Sequence, residues 1–163
     1  AFYQMAISMP LKRIPTEDYI DWIDGLYDQA GKPVAETAIR DIVARCENHP
    51  KYVQEFFYTL WPENEIGPEK INAVENRIIE RRSVEFMNVW DSLSLNQKKA
   101  LKLIAATKGD HLFAAENLTR FRFKTASQVV AATKVLEQKA LVAKNGGYRI
   151  YDPIFRKWVK RFA

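Results

Sequence analysis

Apolar residues recur at helical spacing through most of the chain, and the breaks between runs fall on proline, glycine and capping residues. Thr16 reads as an N-cap, with Glu17 and Asp18 in the first turn and Tyr19, Ile20, Ile23, Leu26 and Tyr27 as an apolar face that Gly31 ends. A second helix is predicted from about Val34 to Glu47, with Ile39, Ile42, Val43 and Cys46 on one stripe. Asn48-His49-Pro50 stops it and starts the next, Pro50 suiting the first helical position and Asn48 a cap or left-handed turn. That next helix is aromatic, with Tyr52, Val53, Phe56, Phe57, Leu60 and Trp61 facing a core, and Pro62 breaks it. Gly67-Pro68 restarts a helix through Ile71, Val74, Ile78 and Ile79 whose charged exit is Glu80-Arg81-Arg82-Ser83. Ahead of all this, Met9 to Pro15 reads as an edge strand or extended connector.

The second half follows a different plan. Val84 to Leu93 is predicted as a helix bearing Phe86, Met87, Val89 and Trp90. Ser94-Leu95-Asn96-Gln97 has capping-box spacing and opens a helix with Leu101, Leu103 and Ile104 that ends at Gly109. A short helix is expected within 111–123, with Phe113, Leu118, Phe121 and Phe123 as core candidates. Thr125-Ala126-Ser127-Gln128 repeats the capping box and opens a helix whose apolar positions are Val129, Thr133, Leu136 and Ala140. Asn145-Gly146-Gly147 then closes a hairpin between Leu141–Ala143 and Tyr148–Tyr151, and Asp152-Pro153 starts a terminal helix with Phe155, Trp158, Val159 and Phe162. A helix leading into a hairpin with basic residues is the second half of a winged helix-turn-helix. The fold class expected is mainly α: a helical bundle over 16–82, then a winged helix over 83–163 with a small β-hairpin wing, after a connector over 1–15.

Composition narrows the chemistry. A single cysteine, Cys46, excludes an internal disulfide framework, and with His49 and His111 alone beside it no metal cluster is expected. On its apolar stripe Cys46 reads as a buried hydrophobe. The lone cysteine suits a reducing, cytoplasmic setting, and no membrane partner is expected, because no apolar run approaches the roughly 20 residues of a membrane span. The abrupt start on Ala1-Phe2-Tyr3 reads as a cut from a longer chain. Charge is divided: residues 1–84 hold 10 Lys+Arg against 14 Asp+Glu, net −4, and residues 85–163 hold 15 against 6, net +9. A basic winged helix is a candidate for nucleic acid.

Around the predicted recognition helix the candidate contacts to DNA or a partner are Gln128, Val130, Ala131 and Lys134 outward on the helix, Arg120, Arg122 and Lys124 before it, and Lys144 and Arg149 in the wing. Base edges are read by hydrogen bonds, and Val130 and Ala131 offer none. Backbone contacts to phosphate, or an acidic protein surface, suit this set better. No Ser/His/Asp set, carboxylate pair or Gly-rich phosphate loop ending in Lys-Ser/Thr is present, so no catalytic residue is assigned and the chain by itself is not expected to hydrolyse ATP.

Taken in order, Phe2-Tyr3, Ile14-Pro15, ENHPKYVQEFFYTLW, WDSLSLNQKKALKLIA, VLEQKALV and GGYRIYDPIFRKWVKRF resemble the C-terminal portion of prokaryotic, archaeal-type P-loop ATPases of the STAND-like branch of AAA+. The resemblance covers nearly the whole chain. It implies that residues 16–82 are a helical lid contributing to nucleotide-state sensing and residues 83–163 an appended winged helix. By the same resemblance Asn48, His49 and Pro50 face the nucleotide in the full-length protein, with Asn48 where relatives carry Gly. ATP and Mg would then belong to an ATPase core in the same chain, which is also the implied partner of the winged helix, and the fragment holds no cofactor of its own. The alternative is a winged-helix DNA-binding transcriptional regulator with an N-terminal sensing or dimerisation domain. Oligomeric state is left open.

Overall fold

A computed structural model describes residues 13–144 and 146–163. The expected connector up to Lys12, Phe2-Tyr3 and the turn residue Asn145 lie outside the described residues. The chain forms two compact units, one ending at Asn72 and one beginning at Ala73.

The first unit holds α1 (Thr16–Gln29), α2 (Glu36–Arg45), α3 (Pro50–Leu60) and the first turn of α4 (Pro68–Arg81). Tyr19, Ile20, Ile23 and Tyr27 of α1, Ile39, Ile42 and Val43 of α2, and Tyr52, Val53, Phe56, Phe57 and Leu60 of α3 are buried, as is Cys46. Two expected core residues fall outside this set: Leu26 is 40% and Trp61 41% exposed. Thr16 is the first helical residue and not the N-cap, which is Pro15; its hydroxyl accepts from Asn48 Nδ2 instead. Gly31, at φ +65°, follows the end of α1.

Tyr19 and Tyr27 bury hydroxyls that have no hydrogen-bond partner among the described residues, and burial raises both phenol pKa values above their ordinary one. A raised acid pKa keeps the proton on the folded form after the unfolded chain has begun to lose it. The contribution of these two tyrosines to the stability of this unit is therefore expected to be constant below about pH 10 and to fall above it. Urea unfolding of wild type and Tyr19→Phe/Tyr27→Phe between pH 8 and pH 11 checks this, since the double variant should lose that slope.

The second unit begins inside α4, where Val74, Ile78 and Ile79 are buried. Glu75 of α4 pairs with Lys157, and Asn76 accepts from Arg161 at 2.7 Å. Arg82, in a helical conformation, separates α4 from α5 (Ser83–Asp91). Then come α6 (Leu95–Thr107), α7 (Ala115–Arg120), α8 (Ala126–Gln138), β1 (Val142–Lys144), β2 (Tyr148–Ile150) and α9 (Pro153–Phe162). α6 is central, packing against α8, α9 and β2. Its capping box is complete: Gln97 N donates to Ser94 Oγ at 3.4 Å and Ser94 N to Gln97 Oε1 at 3.0 Å.

The expected capping box at Thr125 does not form. Thr125 is strongly extended, at φ −147°, and its hydroxyl bonds Ser127 Oγ, while Gln128 Oε1 accepts from Lys124 N, one residue ahead of the cap. Val129, Thr133 and Leu136 are fully buried as expected, but Ala140 lies past the helix end, exposed and left-handed. Leu112 and Phe123 are the buried side chains around α7, whereas Phe113 is exposed and Leu118 and Phe121 are half-buried. Met87 and Phe162 are also exposed.

On the far side of the unit Phe86, Phe155 and Trp158 form an aromatic cluster with ring centroids 5.2 to 6.1 Å apart, and Trp158 Nε1 donates to Ser83 Oγ at 3.1 Å. α9 is started by Asp152, whose Oδ1 accepts from Ile154 N at 2.8 Å and Phe155 N at 3.0 Å. Because Ile154 and Phe155 are core residues, Asp152→Ala is expected to cost about 1–2 kcal/mol in a denaturant titration, the upper range for removal of a cap.

Candidate functional site

α6, α7, α8 and the hairpin make the surface on which most of the sequence-derived contacts fall. The inner side of α8 is anchored by Val129, Ala132, Thr133 and Leu136, and the Thr133 hydroxyl is satisfied by the Val129 carbonyl at 2.9 Å. Its outer side carries Ser127, Val130, Ala131 and Lys134, all exposed; Val130 alone leaves 49% of its surface in water. Gln128 is half-buried and its carbonyl is already engaged by Lys124 N.

The cations surround this helix. Arg120 is at the end of α7, with its guanidinium over the Phe121 ring at 5.4 Å. Arg122 is left-handed, φ +58°, in the tight α7–α8 turn, and its carbonyl accepts from Lys99 Nζ at 3.0 Å. Lys124 precedes α8, and Lys139, which sequence reasoning passed over, is exposed at its C-terminal end. Arg120, Arg122, Lys124, Lys134, Lys144 and Arg149 are all exposed, and none has a carboxylate partner among the described residues. Elsewhere in the same unit Lys98, Arg82 and Lys157 do, with Asp91, Glu85 and Glu75.

The hairpin separates its two cations. Pairing is antiparallel, Val142 opposite Ile150, Ala143 opposite Arg149 and Lys144 opposite Tyr148. Directly paired residues share a face and neighbours along a strand alternate. Lys144 is thus on the side of Val142 and Ile150, the buried pair, with its ammonium 5.5 Å from the Tyr148 ring centroid. Arg149 projects from the opposite side. Two residues grouped together in the sequence as wing cations therefore address different directions.

The hairpin is held close to α6 by a glycine. Lys108 ends α6 in the left-handed region at φ +55°, and Gly109 follows at φ +91°. A Cβ at Gly109 would lie 1.7 Å from the Tyr148 carbonyl oxygen. The sequence reads Gly109 as a helix stop, but Lys108 performs the stop and Gly109 allows the close approach of β2.

Asn48, His49 and Pro50 belong to the first unit. Glu47 and Asn48 are consecutive left-handed residues, φ +49° and +56°, between α2 and α3, and His49 is the extended N-cap of a helix with Pro50 at its start. Asn48 Nδ2 donates to the Ile14 carbonyl at 2.9 Å and Thr16 Oγ1 at 3.0 Å, tying this junction to the start of α1. The His49 ring lies 5.0 Å from that of Tyr52. Backbone bonds from Asn48 N to the Val43 carbonyl and from His49 N to the Cys46 carbonyl add to those of the Asn48 side chain.

Three helices followed by a two-stranded wing define a winged helix, and residues 84–161 match the family model described as a probable winged helix domain. No curated protein and no solved structure matches the chain. The C-terminal part of this mainly helical chain is accordingly a winged helix domain. No helix among the described residues is long and apolar enough to cross a membrane.

Proposed function

We propose that the chain is the non-catalytic C-terminal portion of a P-loop ATPase of the STAND-like branch of AAA+, and that its winged helix docks on duplex nucleic acid through the phosphate backbone. The docking half is carried by the six exposed cations around α8 and the wing that have no carboxylate partner among the described residues, on a unit where Arg82, Lys98 and Lys157 are paired. Neutralising phosphates releases counterions, and such contacts position a protein without reading sequence. The small apolar outer face of α8, Val130 and Ala131, supports weak discrimination between bases.

The ATPase half rests on the order and spacing of the resembling segments, with the ordered Asn48-His49-Pro50 junction in support. In this reading residues 16–82 are the lid, Asn48, His49 and Pro50 face the nucleotide, and ATP and Mg are held by a core elsewhere in the natural protein. Catalysis belongs to that core, because this chain has no phosphate-binding loop.

Anisotropy of a mixed-sequence fluorescent duplex, titrated with the chain as salt is raised from low to physiological, tests the docking half. Binding that falls steeply with salt and changes little between duplex sequences is expected. No binding at low salt overturns it and leaves the Val130 and Ala131 face for a protein partner, such as the ATPase core. Reading the natural gene upstream of Ala1 tests the other half: a phosphate-binding loop is expected in the same reading frame, and its absence refutes the assignment.

A further inference from the structure

The second unit carries an apolar groove that neither half of this reading uses. α5 and α9 wall a depression of about 390 Å³ lined by Ser83, Met87, Trp90, Asp91, Trp158 and Phe162. Ordinary ligand pockets hold roughly 300–1,000 Å³, so one or two large side chains have room here. Positions 83, 87 and 90 on α5, and 158 and 162 on α9, follow the helical period, so each helix contributes a stripe. Met87 is 52% and Phe162 53% exposed. Trp158 forms the floor, with its ring centroid 6.2 Å from that of Trp90 and 6.1 Å from that of Phe162. Its indole N–H is taken by Ser83 Oγ, so the floor offers packing and no free donor.

Two further observations point to an occupant. Cations stand against the lining rings themselves. Lys98 and Lys102 place their Nζ atoms 5.5 and 5.7 Å from the Trp90 ring centroid, and the Arg161 guanidinium is 5.2 Å from that of Phe162. The acids here are already engaged: Asp91, in the lining, pairs with Lys98 at 3.8 Å, and Glu85 of α5 with Arg82 at 3.5 Å. Lys102 and Arg161 are exposed and have no carboxylate partner among the described residues, Arg161 donating to the neutral Asn76. Uncompensated positive charge around an apolar floor is complementary to carboxylates that flank apolar side chains. The rings supply the second observation. With cations over Trp90 and Phe162, and Trp158 only 3% exposed, little open ring face is left for a nucleobase to stack on. The Met87 thioether and the ring edges remain, and these suit the side chains of a protein.

We propose that this groove docks an acidic amphipathic helix of a partner protein, with large apolar residues at i and i+4 against Met87, Trp158 and Phe162 and aspartate or glutamate beside them toward Lys102 and Arg161. From Ser83 to Asp91 α5 extends about 12 Å, enough for anchors one turn apart. The apolar walls set the anchor positions, and the cations beside the rings set the sign of the flank.

The test uses the full chain and a fluorescein-labelled helical peptide of about 16 residues, with leucine and phenylalanine anchors and glutamate flanks. A second peptide has lysine in place of each glutamate. The glutamate peptide is expected to bind with micromolar affinity, and Met87→Asp and Phe162→Ala should each weaken it at least about tenfold. Both side chains are about half exposed, so the fold should survive, and thermal unfolding checks that; Met87→Ala takes the place of Met87→Asp if the latter melts early. The lysine peptide should bind wild type at least about tenfold more weakly and gain on Lys102→Glu/Arg161→Glu, a change that should weaken the glutamate peptide. A glutamate peptide that does not bind, that is indifferent to Met87→Asp and Phe162→Ala, or that binds no better than the lysine peptide overturns the proposal. A single-stranded oligonucleotide that binds in its place and is weakened by Phe162→Ala overturns it in favour of nucleic acid, and a wild-type dimer that Met87→Asp dissociates overturns it in favour of a second copy. Duplex binding through α8 and the wing is measured separately, so its failure leaves this result standing.

Discussion

Gly109→Ala should destabilise the winged helix unit by about 3–5 kcal/mol, the largest effect expected of any single methyl group in the described chain. Two costs combine. A Cβ 1.7 Å from the Tyr148 carbonyl oxygen collides with backbone, and not with a side chain that can rotate away. A backbone at φ +91° is also strained for any residue with a Cβ. Relief requires the hairpin to move off α6, which would uncover Ile150, now 1% exposed. The melting transition of this unit should fall by well over 10 °C, at about 4–8 °C per kcal/mol for a unit of this size. Gly147→Ala is the control. No atom lies within 4 Å of its Cβ position and its φ is not positive, so it should change stability by less than about 0.5 kcal/mol or raise it slightly.

Removing cations at the start and on the outside of α8 should weaken duplex binding steeply and uniformly across sequences. For Arg122→Ala/Lys124→Ala/Lys134→Ala, the slope of log affinity against log salt should shrink by about 2.7, close to 0.9 for each phosphate that is no longer neutralised. At low salt the affinity should fall about 100-fold or more, and the difference from wild type should narrow as salt rises. These side chains are exposed and make no ion pair with another described residue, so the folded state should be as stable as wild type. The wing supplies a finer test. Lys144 and Arg149 project from opposite sides of the hairpin, so Lys144→Ala and Arg149→Ala should change the salt slope unequally. Equal effects would show that the wing reorients on binding.

Much of the fold was legible because it rests on local chemistry. The Ser94/Gln97 capping box, Pro50 and Pro153 at first helical positions, the stripes of α2 and α4, and that of α8 apart from Ala140 depend on residues within one or two turns, and all appear in the structure. Where local rules failed, a neighbour distant in sequence or a backbone angle had decided. Thr125 and Ser94 open the same motif, but at φ −147° the Thr125 hydroxyl is turned to Ser127, whereas Ser94 at φ −68° meets Gln97 N. Thr16 does not cap α1, and its hydroxyl instead accepts from Asn48 Nδ2, 32 residues away. Leu26 and Trp61 lie at the borders of their apolar stripes. Periodicity gives the direction in which a helix buries its side chains, and the width of the buried arc depends on where the next helix lies.

The candidate site divides along the same line. The sequence by itself determined the winged helix, its basic character and the small apolar residues outside α8, because helical period, turn residues and charge are properties of the chain as written. Only the tertiary structure decided that six of those cations are left without carboxylates among the described residues, that Lys144 and Arg149 address different sides, that Gly109 is needed for a β2 carbonyl 39 positions on, and that Met87, Trp158 and Phe162 converge on one groove. Each of these is a distance between residues far apart in the chain, and such distances are set by packing, to which no single segment holds the key.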